Sequence, residues 1–179
     1  MLGLNFLLAA TIATFATSAS TALPCDVVSP QVLYQAAKNY IDTWNGDFSL
    51  ENKTFTLDVT FYQDRLPSPN GTIAISITNS TQFIRFMKRA REGWNQYQID
   101  VRNTAGDGYN VVIRWALNAI TGPPDKMTIP VNVPEGTPVT YNGTDWLYLD
   151  RCTGKIQQVG SSQDRLTALR AVGITEIKI

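Results

Sequence analysis

The sequence predicts an α+β fold, with helices gathered toward the N-terminus and a sheet of mainly antiparallel strands after them. Three observations carry this. Apolar residues recur at three- and four-residue spacing over 30–44 and 80–92, the signature of amphipathic helices. Apolar and polar residues alternate over 55–63, 97–103 and 110–121, the period of half-buried strands. Finally, 179 residues suffice for one domain with a proper core.

Ser29-Pro30 opens the first helix, with Ser as cap and Pro at the first helical position. Leu33, Ala37, Tyr40 and Trp44 form its apolar stripe, and Asn45-Gly46-Asp47 ends it. Asp47 to Leu50 starts a short second helical turn. In the strand Phe55 to Gln63, the spacing puts Phe55, Leu57, Val59 and Phe61 on one face and Thr56, Asp58, Thr60 and Tyr62 on the other. Leu66 to Gly71 reads as a loop and turn, and Thr72 to Thr78 as another strand. Asn79-Ser80-Thr81 caps a third helix running to about Glu92, with Phe83, Met87, Ala90 and Trp94 as its buried stripe.

Tyr97–Asn103 and Asn110–Thr121 are the next strands, joined by a loop over 104–108. Val111, Ile113, Trp115 and Leu117 share one face of the second, and Arg114 lies on the other. Gly122-Pro123-Pro124-Asp125 breaks the pattern before a last hairpin. There Val139, Tyr141, Trp146 and Tyr148 supply large side chains, Cys152-Thr153-Gly154-Lys155 turns the chain, and Ile156 to Gly160 runs back. Asp164 sits just past that strand, and the tail after Gly173 has no assigned place.

The first 22 residues grade from an apolar run into small Ala, Ser and Thr residues, as a secretory signal does, with a single domain over 23–179. The run is shorter than the about 20 apolar residues of a membrane span. Asn52, Asn70, Asn79 and Asn142 each open an Asn-x-Thr glycosylation acceptor, which agrees with a secreted or secretory-lumen protein. Two cysteines, Cys25 and Cys152, then make one structural disulfide. Lys plus Arg and Asp plus Glu are 15 each, so no field points to nucleic acid or an anionic membrane. The run Arg85, Lys88, Arg89, Arg91 reads as a solvated helix face. With no histidine in the chain, Ser-His-Asp and Cys-His nucleophiles and His-ligated zinc are excluded, and no metal site is expected.

Several stretches carry a resemblance. Pro134-Glu135-Gly136-Thr137-Pro138-Val139, Gly154-Lys155-Ile156, and Asp164-Arg165-Leu166 with Leu169 and Gly173 together resemble the SnoaL-like polyketide cyclases. That group belongs to the nuclear transport factor 2-like, or cystatin-like α+β, superfamily. Trp44-Asn45-Gly46-Asp47 and Val112-Ile113-Arg114-Trp115 fall where the same pattern has them, so the resemblance spans Pro30 to Gly173. It implies a cone-shaped barrel, a curved antiparallel sheet wrapped around the N-terminal helices, with an apolar throat.

It also implies a cofactor-independent cyclase, isomerase or dehydratase acting on a small hydrophobic metabolite of secondary metabolism. The carboxylate acid/base of such cyclases corresponds to Asp164, with Arg114 or Asp58 as its second member. The histidine that assists that acid has no counterpart; Asp150 or Tyr148 lies near its place. Tyr40, Trp44, Tyr62, Trp115 and Tyr148 are the expected ligand-binding aromatics. The alternative is a secreted, non-catalytic carrier or interaction protein using the same pocket, in which Asp164 only caps a helix over Leu166–Val172. Either would work alone or as a homodimer.

Overall fold

The computed structural model describes residues 25–63, 66–68, 71–73 and 75–176. The leader expected over 1–22, the acceptor Asn70 and the end of the tail lie outside them. Ser29 caps helix α1 (Pro30–Trp44), its hydroxyl accepting from the Val32 N–H at 3.3 Å. Leu33, Ala37, Tyr40 and Trp44 are buried along it, the stripe that the spacing predicts. Asn45 ends the helix and grips Ile99, donating to its carbonyl at 3.0 Å and accepting from its N–H at 2.7 Å. A 3-10 turn (Phe48–Leu50) and the one-turn helix α2 (Glu51–Thr54) lead into strand β1 (Phe55–Gln63).

The single strand expected over Thr72–Thr78 is instead two short ones, and a third lies in the stretch read as a loop over Leu66–Gly71. β2 (Leu66–Ser68) and β3 (Gly71–Ile73) pair with each other, and β4 (Ser76–Ile77) pairs with the edge of β1. Helix α3 (Ser80–Arg91) is capped by Asn79, which accepts from the Gln82 N–H at 2.9 Å. Trp94 lies beyond its end and begins β5 (Trp94–Asp107). That strand runs past the expected Asn103 because Thr104–Asp107 stay laddered to β6 (Asn110–Thr121). The predicted loop shrinks to Gly108-Tyr109, and Gly108 takes the positive φ of +56° that such a tight turn needs. β7 (Pro138–Leu149), β8 (Ile156–Gln163) and helix α4 (Arg165–Ala171) complete the chain.

Apart from the β2–β3 pair, the strands form one six-stranded sheet in the order β4-β1-β8-β7-β6-β5. β8 pairs with β1 in parallel, so the sheet is mixed, not wholly antiparallel, and it does not close into a barrel. α3 carries the chain back across the sheet before the β5–β8 meander begins, so β8 arrives running the same way as β1. Helices α1 and α3 fill the concave side. Tyr40, Trp44, Phe55, Phe61 and Phe83 pack there, with ring centroids from 4.8 Å (Phe61–Phe83) to 6.5 Å (Tyr40–Trp44) apart.

Two expected facings are corrected. The β1–β8 register slips between Phe55 and Thr60, so Leu57 bulges out to 78% exposure instead of joining Phe55, Val59 and Phe61. On β7 the large residues divide by parity: Val139, Leu147 and Leu149 are buried, whereas Trp146 and Tyr148 stand on the outer face.

Cys25 and Cys152 form the expected disulfide, joining residues 127 apart in sequence. The Val27 N–H donates to the Arg151 carbonyl at 3.0 Å, so the N-terminal arm is held on the β7–β8 turn twice over.

Candidate active site

The concave face of the sheet is apolar except for one row. On β7 the inward positions run Val139, Tyr141, Gly143, Asp145, Leu147, Leu149, which sets an acid amid apolar neighbours. Asp145 pairs with Ser161 of β8, and Ser161 pairs with Gln63 at the end of β1. Three strands thus bring Asp145, Ser161 and Gln63 into one line. Asp145 is 3% exposed, and the Tyr40 hydroxyl, reaching down from α1, donates to its Oδ2 at 2.8 Å. Ser161 and the Trp115 indole also face the carboxyl, while Oδ1 completes no hydrogen bond of good geometry.

Burial pushes the Asp145 carboxyl up from 3.8 to about 6, against the opposing pull of Ser161, Tyr40 and Trp115. Burial and the neighbouring carboxyl together hold the Tyr40 hydroxyl well above its ordinary value, so Tyr40 remains a donor. Gly143 makes room for Trp115: a Cβ there would lie 2.1 Å from the indole ring.

Beside this row lies a cavity of about 320 Å³, at the small end for small-molecule sites. Its walls come from α3, the start of β5, the 128–130 loop, β7 and α4. Phe86, Trp94, Ile129, Val139, Leu169 and Val172 supply apolar surface, and Tyr97, Tyr141, Gln63, Gln163, Thr128, Arg89 and Arg165 the polar groups. Trp44 and Tyr141 also line it. They pack on Tyr40 and Trp115, the two aromatics that face the carboxyl, so Asp145 sits one layer behind the wall. Burial raises the Tyr97 and Tyr141 hydroxyls, and the charge of Asp145 adds to both. A polar path crosses the layer: Gln163, on the wall, donates to Ser161 Oγ at 3.4 Å, and Ser161 faces the carboxyl.

The raised carboxyl fixes a sign for stability against pH. The folded chain holds the Asp145 proton more tightly than the unfolded one, so stability falls as pH rises from about 4 to about 6, then levels. The roughly two-unit shift is worth about 3 kcal/mol. Asp145→Asn removes this cost while still accepting from Tyr40. Urea unfolding at stepped pH should therefore show the variant gaining on wild type across that window. A difference that stays constant from pH 4 to 7 would contradict it.

The residues expected from sequence divide clearly. Tyr40 and Trp115 face Asp145 behind the cavity wall, and Trp44, packed on Tyr40, lines the cavity itself. Asp164 is exposed at the N-cap of α4, where it accepts from the Thr167 N–H at 3.1 Å and hydroxyl at 2.7 Å. Those bonds hold its carboxyl below the usual range, which is the capping role and not an acid/base environment. Arg114 is exposed and donates to Thr144 Oγ1 at 2.9 Å. Asp58 is exposed, as are Tyr62 at 59% and Tyr148 at 36%, away from the cavity. The cause is strand parity, shifted in β1 by its bulge. Among the described residues no three His, Cys, Asp or Glu side chains stand together as a metal site, and no helix is long and apolar enough to cross a membrane.

Sequence reasoning passed over Asp145, Ser161, Gln63, Tyr97 and Tyr141. A signal for the first was present: Val139, Tyr141, Leu147 and Leu149 share one parity, and Asp145 interrupts it.

No protein-family model and no curated protein sequence matches the chain. Solved structures do. A protein from Jannaschia sp. CCS1 assigned as a SnoaL-like polyketide cyclase superposes with a TM-score of 0.61 at 18% identity, over 83% of this chain and 97% of its own. AclR from Streptomyces galilaeus, assigned as a hydroxylase, gives 0.64 at 16% identity, over 84% and 87%. An epoxide hydrolase of M. tuberculosis gives 0.56 at 13% identity, over 79% and 85%. These structures differ in assigned chemistry and agree in architecture. The fold of this chain is the one seen in the structures assigned as SnoaL-like polyketide cyclases and in a ketosteroid isomerase-like protein.

Proposed function

We propose that the chain is a cofactor-independent enzyme of the cyclase, isomerase or dehydratase kind, acting on a small hydrophobic metabolite, with Asp145 in place of Asp164 as the proton-exchanging group. One observation carries the reading: a fully buried carboxyl with a pKa of about 6 lies one layer behind the wall of an apolar cavity. Such a carboxyl exchanges protons near neutrality, where general acid/base catalysis is most effective. For the exchange Gln163 must release Ser161 Oγ, so that this hydroxyl, which faces the carboxyl, can take the substrate's proton while passing its own to Asp145. The Tyr97 and Tyr141 hydroxyls, kept protonated by burial, can donate to a carbonyl oxygen as charge develops on it. The chemistry is then removal of a proton α to a carbonyl and its return elsewhere.

A substrate-independent assay tests this. In deuterium oxide the protein should speed deuterium incorporation α to the carbonyl of β-tetralone, followed by proton NMR, and Ser161→Ala should weaken the effect. Binding of β-tetralone without exchange would leave the second reading, a carrier using the same cavity, which the apolar lining alone supports.

We further propose a secreted, glycosylated form. The acceptors Asn52 and Asn142 are exposed, whereas Asn79 is half-buried as the α3 cap. Protein recovered from culture medium should begin between Ser20 and Leu23. It should also shift in mobility on glycosidase treatment, with sugar on at least two of Asn52, Asn70, Asn79 and Asn142. A full-length, unshifted product retained in the cytosol would overturn it.

A further inference from the structure

Two arginines stand on the wall of the cavity, and among the described residues that line it there is no carboxylate. Arg165, the first residue of α4, is half-buried there, and Arg89 of α3 is exposed at the rim. Burial raises the Tyr97 and Tyr141 hydroxyls, and the charge of Arg165 pulls both back. At each hydroxyl that pull exceeds the push of Asp145, so the field there is positive despite the carboxyl behind the wall. Asp164, next to Arg165 in sequence, is tied to Thr167 and does not line the cavity. A purely apolar ligand would strip water from this end and return no polar contact, which costs affinity. A guanidinium carries five N–H donors in a planar fork that matches a carboxylate, and one other partner still leaves donors for a ligand.

We infer that the cavity takes an apolar ring system bearing one carboxylate, with the rings against the apolar walls and the carboxylate on Arg165. Arg89 adds a second positive charge at the rim; being open to solvent, it is screened and contributes less. The site therefore balances one negative charge, and a phosphate dianion would leave charge over. The inference deepens the proposed reaction by naming its substrate class, a cyclic keto acid, and rests on the small-molecule reading of the cavity. The acid and the ketone are then read by different groups, the carboxylate by Arg165 and the ketone oxygen by Tyr97 and Tyr141.

Isothermal titration of the full chain near neutral pH and at low salt tests this, with 2-naphthoate set against 2-naphthamide, a neutral group of the same shape. The acid should bind about ten- to a hundredfold more tightly, the worth of a hydrogen bond to a charged group. Arg165→Met keeps the apolar stem, so it should remove most of that preference while 2-naphthamide binding holds. Arg165→Lys, with the charge but not the fork, should retain only part of it. Arg89→Met should lower the preference by about two- to threefold, a difference that high salt erases. Thermal unfolding checks that each variant is folded; should Arg165→Met not fold, the drop in Arg165→Lys and Arg89→Met decides. Equal affinity of wild type for the two probes, or a preference untouched by these substitutions, overturns the carboxylate site and leaves the cavity reading intact. Failure of both probes to bind wild type overturns the cavity reading and the carboxylate site with it.

Discussion

Asp145→Asn should slow deuterium exchange into β-tetralone by about 10²–10⁴-fold, the usual contribution of a general acid/base. Asparagine keeps the size of the side chain and still accepts from the Tyr40 hydroxyl, but it carries no exchangeable acid proton at neutral pH. Affinity for β-tetralone should hold, since Asp145 lies behind the wall and not on it. The wild-type rate should rise as pH climbs through about 6, where the carboxyl becomes the base. Asp164→Asn is the control: it sits at an exposed cap, and Asn caps almost as well, so exchange should stay at the wild-type rate. Wild-type exchange in Asp145→Asn would make that carboxyl purely structural and leave the carrier as the better reading.

Replacing the disulfide should have the largest effect on stability. Cys25→Ser with Cys152→Ser frees a closure of 127 residues. Chain entropy alone assigns that closure about 5 kcal/mol, and removal of native disulfides typically costs about 2–5 kcal/mol. Against a total of about 5–15 kcal/mol for a folded domain, the variant should melt well below wild type. The arm would retain the Val27 to Arg151 hydrogen bond, which is too weak to compensate. Urea midpoints with and without a reducing agent measure the difference, and identical midpoints would mean that the bridge constrains nothing.

The architecture was legible because its signals are local. Ser29-Pro30 and Asn79 mark helix starts by capping chemistry, and the α1 stripe follows from helical spacing. The site was less so, because it depends on which strand face turns inward. Tyr148 looked like a pocket residue of β7 because it is large and aromatic, yet Val139, Tyr141 and Leu147, of the other parity, take the inner face. Asp164 drew attention through its motif, and a motif cannot distinguish an acid that caps α4 from one that exchanges protons. Gln63 had no sequence signal; it joins the polar row only because β8 lies beside β1.

That parallel pairing also has a consequence for biosynthesis. Phe55 meets Ile156, and Phe61 meets Val159, so β1 leaves the ribosome about a hundred residues before its partner. At about 5–20 residues per second, the wait is on the order of five to twenty seconds. Throughout it, one long edge of β1, with Phe55, Val59 and Phe61 on its apolar face, has only the two-residue β4 beside it on the other side. An unpaired apolar strand recruits other chains. The nascent protein is therefore most vulnerable to aggregation late in translation, and faster elongation between β1 and β8 should raise the yield of folded chain.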